Sequence, residues 1–293
     1  MHKRHDEIVR YYDECEIDYR LMWCLSRAYA MHYGYWDASV HGLTAALQRM
    51  NEILAECAGI RPEDHVLDAG CGIGGSALYL ARKYGCRVTG VTLSHRQARR
   101  AREHATRNGF SGRVDFVIGD FDALPFEDAS FDLVWALESV CYANDKRRFV
   151  REAHRVLRDG RRLVVADGFA ARDELDPADA QALHEWLICW GVESLDSPAK
   201  FTDHAEQAGF SGCRFRDITA QVMPTARRLF RGSLYAMTIT NVLEFLGLRS
   251  RTQTLNVVGC RRQYRIFRNG IARYGVFIAD KPKRQLATSE PAR

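Results

Sequence analysis

No two of the nine cysteines stand closer than nine residues, so the chain offers neither a zinc-ribbon spacing nor a CxxC redox pair, and an odd, scattered set argues against a disulfide framework. It also has no run of eighteen apolar residues that would span a bilayer as a helix. The opening Met1-His2-Lys3-Arg4-His5-Asp6-Glu7 lacks the apolar centre of a secretory leader. Internal repeats are missing too. Charge of one sign is not in strong excess: 42 Lys and Arg against 37 Asp and Glu leave +5 over 293 residues, which suits a globular protein and hints only faintly at an anionic ligand or surface. What remains is an ordinary globular composition, 46% hydrophobic and 27% charged. We expect a cytoplasmic, enzyme-sized chain with reduced thiols, folded as one large domain or as one domain with a sizeable insertion.

Periodicity divides the chain. From 4 to 57 the pattern is helical, with Leu43, Leu47, Met50 and Leu54 on one face, interrupted by a loop at His32-Tyr33-Gly34-Tyr35-Trp36-Asp37. From about 61 short apolar runs at 65–69, 87–91, 114–118, 131–137 and 163–166 alternate with helical segments, which means βαβ units and a parallel sheet. Asn144-Asp145 is expected to cap a helix ending near Asp159-Gly160, and Asp176-Pro177 another that presents Leu183, Trp186, Leu187 and Trp190 to a core or a partner element. Late strands are expected at 213–219 and 273–279. Between them the apolar stretch from Leu229 to Leu248 reads as an insertion closing over a substrate, or as an interface, since periodicity cannot choose; whether the chain self-associates stays open. The tail from Lys281 is expected to be mobile.

The strongest local signal is His65-Val66-Leu67-Asp68-Ala69-Gly70-Cys71-Gly72-Ile73-Gly74-Gly75-Ser76, a strand feeding a glycine turn that opens a helix. Such a turn lets a nucleotide-like ligand approach backbone N–H groups at a helix start. Gly70, Gly72 and Gly75 satisfy G-x-G-x-x-G, so an NAD-dependent oxidoreductase is one reading. Two features turn away from it. The second strand ends Gly90-Val91-Thr92-Leu93-Ser94, without the acidic residue that holds a dinucleotide's ribose. Asp68, at the end of a buried strand, needs a partner, and a cationic amino group on the ligand would serve, as would the backbone of its own loop.

At these residues the sequence resembles the class I S-adenosylmethionine (SAM) methyltransferases. Gly90-Val91-Thr92-Leu93-Ser94-x-x-Gln97 resembles the second motif of cyclopropane fatty acid synthases and gamma-tocopherol methyltransferases, which also lack the acidic residue. Tyr11-Tyr12-Asp13 with His32-Tyr33-Gly34-Tyr35-Trp36 is similar to the aromatic lid of tocopherol methyltransferases. Phe131-Asp132-Leu133-Val134-Trp135-Ala136-Leu137-Glu138-Ser139 matches the tocopherol and sterol methyltransferase pattern. After it the chain has Cys141-Tyr142 where those relatives tend to have Glu-His, which weighs against ring formation on a lipid alkene.

The resemblance implies an α/β, Rossmann-like, doubly wound and mostly parallel seven-stranded sheet. Its parts would be a helical lid (1–60), a SAM-binding core (61–220), a substrate-capping insertion (221–270), a last strand (271–280) and the tail (281–293). It also implies that Asp68, Gly70 and Gly72 face the methionine part of SAM, that Thr92, Leu93 and Gln97 face the adenosine, and that Asp120 and Phe121 face the adenine, with Tyr33 and Leu137 completing the cofactor set. Gln97 has a second reading, since Ser94-x-x-Gln97 is also a capping box.

In a doubly wound sheet the ligand lies where strand order reverses, so Glu138, just past the fourth strand of the core, should stand beside the transferred methyl. A carboxylate in an apolar, aromatic pocket has a raised pKa and can take a proton. Glu138, Tyr35 and Tyr142 are the expected catalytic residues, and no metal is expected. The aromatic residues suggest a small hydrophobic acceptor of isoprenoid, sterol-like or polyketide type, methylated on carbon or oxygen. Arg227, Arg228 and Arg231 could hold an anionic group of it. A nucleic-acid methyltransferase is disfavoured, because Ala136-Leu137-Glu138-Ser139 stands where base-methylating enzymes carry Asn/Asp-Pro-Pro-aromatic and no basic stripe or recognition domain is evident.

Overall fold

The structure is a computed structural model and describes residues 3–22 and 29–283. The strands β1 (His65–Ala69), β2 (Arg87–Thr92), β3 (Val114–Ile118), β4 (Phe131–Leu137), β5 (Leu157–Ala170), β6 (Ser211–Asp217) and β7 (Ala272–Asp280) form a single sheet. Their order is β3-β2-β1-β4-β5-β7-β6, with β7 antiparallel to both neighbours and all other pairs parallel. This is the doubly wound sheet expected, and the order reverses between β1 and β4.

β4 is buried at every position because its alternate side chains enter two separate cores. Leu133, Trp135 and Leu137 pack on one face with α2 (Leu43–Ala58) and α3 (Gly75–Tyr84); Val134 and Ala136 pack on the other with α5 (Lys146–Val156) and α7 (Pro198–Gln207). Between β2 and β3 runs α4 (His95–Arg107), and α6 (Pro177–Leu187) follows β5. α5, α6 and α7 are each started by a side-chain cap from Asp145, Asp176 and Ser197. α5 stops at Val156, three residues before Asp159, because Leu157 already pairs with Phe131 in the sheet. β6 likewise begins and ends two residues earlier than the pattern suggested, since Thr219 opens α8 (Thr219–Phe245).

Two elements roof the carboxyl ends of the strands. One is α1 (Lys3–Met22); the other is a hairpin of α8 and α9 (Arg251–Arg268) inserted before β7. α1 is tied to the hairpin by a two-pronged Asp18–Arg249 pair at 3.0 and 2.7 Å, by Asn256 donating to Asp18, and by Ser250 donating to Glu14. Glu16 binds Arg96 and Arg100 of α4. Among the described residues no helix is long and apolar enough to cross a membrane. Lys281 is anchored, donating to the carbonyls of His154 and Leu157, and the tail from 284 lies outside the described residues.

Candidate active site

The turn after β1 is folded back on β2: the N–H groups of Gly70 and Cys71 both donate to the Val91 carbonyl at 2.9 Å. Gly70 has φ +87, and a Cβ there would stand 2.2 Å from the Cβ of Ser139. That glycine is therefore required by the packing of two loops, in addition to any ligand. Ser139 in turn donates to the Ala69 carbonyl at 2.6 Å, locking the β1 and β4 ends together across the switch point.

The opening between them is a cleft enclosing about 990 Å³ of empty space, mouth included. Asp68, Gly70, Gly72, Thr92, Leu93, Gln97, Asp120, Phe121 and Leu137 all line it, so nearly the whole cofactor set is brought to one place. Asp68 is 2% exposed, its Oδ2 has no hydrogen-bond partner, and burial pushes its pKa up to about 7 against one bond from the Ala77 N–H. A buried carboxylate oxygen without a partner, aimed into a cleft, is what a cationic group of a bound molecule would satisfy. Ser94 caps α4, but the Gln97 side chain accepts from the Thr92 hydroxyl at 2.8 Å instead of returning to Ser94. Half of the capping box is thus unformed, and Gln97 faces the cleft. His5 of α1 crosses the far rim, 3.2 Å from Asp120 and 2.9 Å from the Asn144 amide.

Behind the cleft is a second cavity enclosing about 710 Å³ of empty space, mouth included, walled by Tyr19, Tyr33, Trp186, Trp190, Phe267 and Tyr274 with Asp167, Asn256 and Cys260. Tyr12, Met31, Glu138 and Tyr142 belong to both spaces and form the partition. Glu138 is held in a left-handed backbone conformation, φ +52, by its N–H bond to the Ala166 carbonyl at 2.8 Å. For a residue with a Cβ that conformation costs of order 1 kcal/mol, the kind of strain concentrated at functional sites. Its Oε1 accepts from the Tyr33 N–H and the Tyr274 hydroxyl, both at 2.6 Å. Burial raises its pKa to about 8, the two hydrogen bonds opposing and the charge of Asp167 reinforcing the rise. Tyr142 donates to the Trp190 carbonyl at 3.1 Å and tilts against Tyr12 at 5.5 Å, so α1 and the loop after β4 close the partition together.

Two expected residues lie elsewhere. Tyr33 lines the second cavity and not the cleft, edge-on to Tyr274 at 5.3 Å. Tyr35 lines neither. Its N–H bonds to Ala46, a Cβ on neighbouring Gly34 would meet Ala46 at 2.5 Å, and the segment is so pressed on α2 that the Tyr35 hydroxyl turns to Arg216 of β6 at 3.2 Å. Arg227, Arg228 and Arg231 are exposed on α8, outside both spaces. The cavity is walled from the hairpin by α9, through Asn256, Cys260 and Phe267. Sequence reasoning missed Tyr274, Asp167 and Asn256, which stand in no motif. Trp186 and Trp190 carried a signal, an aromatic helix face in search of a partner.

Known proteins are similar to this chain in sequence and in fold. A family model described as "Methyltransferase domain" matches residues 67–165. The 27-O-demethylrifamycin SV methyltransferase of Amycolatopsis mediterranei is 35% identical over 196 residues, covering 67% of this chain and 71% of the relative. A probable tocopherol O-methyltransferase of Oryza sativa is 33% identical over 228 residues, 73% of this chain and 63% of the relative. The crystal structure of the [4+2]-cyclase SpnF superposes with a TM-score of 0.76 at 25% identity, covering 94% of this chain and 96% of that one.

Proposed function

The chain belongs to the SAM-dependent methyltransferases that act on small molecules, and on that premise we propose that it methylates an oxygen or carbon of an apolar polyketide- or isoprenoid-like acceptor held in the aromatic cavity, with Glu138 beside the transferred methyl. The observation that carries this reading is the position of Glu138 in the wall shared by cleft and cavity. SAM, when bound, supplies an electrophilic methyl group on a sulfonium. In this reading the Asp68 carboxylate binds the ammonium of its methionine part, while Thr92, Leu93, Gln97, Asp120 and Phe121 form the nucleoside wall.

The remaining work is done by the chain's own residues on the acceptor. The aromatic walls strip water from it and orient it, which can supply up to about 7 to 11 kcal/mol of the barrier. Glu138, as a carboxylate held through Oε1 by Tyr33 and Tyr274, takes the acceptor's proton on its other oxygen. Aromatic faces also stabilise positive charge developing on an alkene carbon. The acceptor class draws support from the rifamycin and tocopherol relatives. Eight free cysteines among the described residues suit the reducing cytoplasm.

The test is to incubate the purified protein with methyl-deuterated SAM and a panel of polyketide alcohols, phenols and prenyl compounds, then read products by mass spectrometry. A labelled methyl on an apolar acceptor is expected, together with adenosylhomocysteine. Transfer confined to small polar amines would overturn the acceptor class. The likeness to SpnF favours a second reading, cyclisation in the same cavity, whose product would match the mass of its precursor.

A further inference from the structure

The α8–α9 hairpin holds charge out of proportion to the molecule. From Thr219 to Gly270 there are nine arginines, one glutamate, and no lysine or aspartate, a net +8. The whole chain is only +5, so everything outside the hairpin sums to −3. Arg249, Arg251 and Arg262 have carboxylate partners in Asp18, Glu244 and Glu185. Arg227, Arg228, Arg231, Arg261, Arg265 and Arg268 are exposed.

An apolar surface lies in line with these charges. At 3.6 residues per turn, Arg227, Arg228 and Arg231 fall within about 140° of helix face together with Leu234, Tyr235, Ile239, Val242, Phe245 and Leu246. Those six apolar side chains are 46%, 82%, 64%, 52%, 90% and 59% exposed, and Leu248 in the turn that follows is 73% exposed. Gly232 to Leu243 contains no charged residue. Tyr235 and Phe245 alone uncover about 300 Å² of ring surface, and the aliphatic side chains take the patch past the few hundred Å² that a soluble monomer ordinarily leaves bare. The outer face of α8 is thus one stripe, basic at its start and apolar from its middle to the hairpin tip.

Charge decides what covers it. A second copy would bring two basic hairpins together, each with six exposed arginines, whereas an anionic surface would neutralise them. An acidic protein would satisfy the arginines but leave the uncharged band and the tip at Phe245 and Leu248 without a counterpart of matching extent. A lipid leaflet supplies both halves, phosphates for the arginines and acyl chains for the apolar residues. We propose that the outer face of α8, with the turn after it, docks this enzyme peripherally on an anionic lipid surface. Because α9 packs inside α8 and walls the aromatic cavity through Asn256, Cys260 and Phe267, docking sets that cavity directly above the source of an apolar molecule.

The experiment is vesicle flotation of the full chain with phosphatidylcholine alone and with phosphatidylcholine mixed with phosphatidylglycerol, at low and high salt. We expect flotation with the anionic vesicles only, weakened by salt. The Arg227→Ala/Arg228→Ala/Arg231→Ala variant should partition about a hundredfold less, at about 1 kcal/mol for each arginine near an anionic surface. Tyr235→Glu/Phe245→Glu should not float at all. Adenosylhomocysteine affinity by calorimetry reports that each variant is folded, and all these side chains stand outside the cleft. Three results would each overturn the proposal: no flotation of the wild type at low salt, flotation indifferent to both variants, or light scattering showing a dimer that Tyr235→Glu/Phe245→Glu dissolves while vesicles are ignored. Binding to an acidic protein in place of vesicles would do the same.

Discussion

Replacing Asp68 by Asn should stabilise the ligand-free protein at alkaline pH and weaken its hold on the cofactor. Burial raises the folded-state pKa of Asp68 from an ordinary 3.8 to about 7. For a carboxyl shifted in that direction, the stability contribution is fully present below about pH 4 and is lost as pH rises through 7, because the folded form must then carry a desolvated charge. At about 1.4 kcal/mol per tenfold, that interval corresponds to about 4 kcal/mol by pH 8. Asn keeps an acceptor for the Ala77 N–H and cannot ionise, and its amide nitrogen stands unpartnered where Oδ2 was already unpartnered, so no hydrogen bond of the wild type is lost. The variant should therefore melt close to wild type at pH 4 and above it at pH 8, there by up to about 4 kcal/mol, or several degrees. SAM affinity at pH 8 should fall by about 10- to 150-fold, the worth of one charge-assisted hydrogen bond. Thermal unfolding at the two pH values, without ligand and with adenosylhomocysteine, together with titration calorimetry, reads all three quantities. A stability difference of the same sign and size at both pH values would refute the assignment of a desolvated charge, and unchanged affinity would refute its partner.

Glu138→Gln should keep SAM binding within a few-fold by calorimetry and lose most turnover; unchanged turnover would remove Glu138 from the chemistry. As a base with a pKa raised to about 8, Glu138 is protonated and idle at lower pH, so kcat/KM should climb as pH rises through 8. Tyr274→Phe deletes a hydrogen bond that holds the carboxylate charged, so the midpoint of that climb should move to higher pH, and a shift to lower pH would contradict the geometry. Gly259→Ala places a methyl 2.3 Å from the indole nitrogen of Trp190; a cost of about 1 to 3 kcal/mol is expected from overpacking, with a change in acceptor KM because Trp190 walls the cavity. Asp18→Ala leaves Arg249 without its carboxylate partner between α1 and the hairpin. A loss of up to about 3 to 5 kcal/mol should follow, with proteolysis beginning in α1.

Much of the site was legible because its signals are local. Asp68, Gly70 and Gly72 sit in one turn, Thr92, Leu93 and Gln97 in the next, and a parallel sheet with a switch point brings such turns to one edge whatever the loops between them do. Tyr33 and Tyr35 were separable only in three dimensions. They are two residues apart on an irregular segment whose course is dictated by Gly34 pressing on Ala46, a contact that no periodicity encodes. The exposed stripe on α8 was visible as an apolar stretch between Leu229 and Leu248, but whether it faced a substrate or the outside depended on which helix of the hairpin packed inward.

The alternation of short buried strands with helices, and the glycine turn after the first strand, established by themselves βαβ units, a parallel sheet and a turn open to a nucleotide-like ligand, since backbone conformation and binary patterning act over a few residues. Only the tertiary structure decided that a second cavity lies on the other side of Glu138, which tyrosine holds that carboxylate, and which helix face is left bare. Those facts rest on contacts between residues more than a hundred positions apart, such as Tyr274 with Glu138 and Arg249 with Asp18, and each is fixed by packing and desolvation that exist only once the chain is folded.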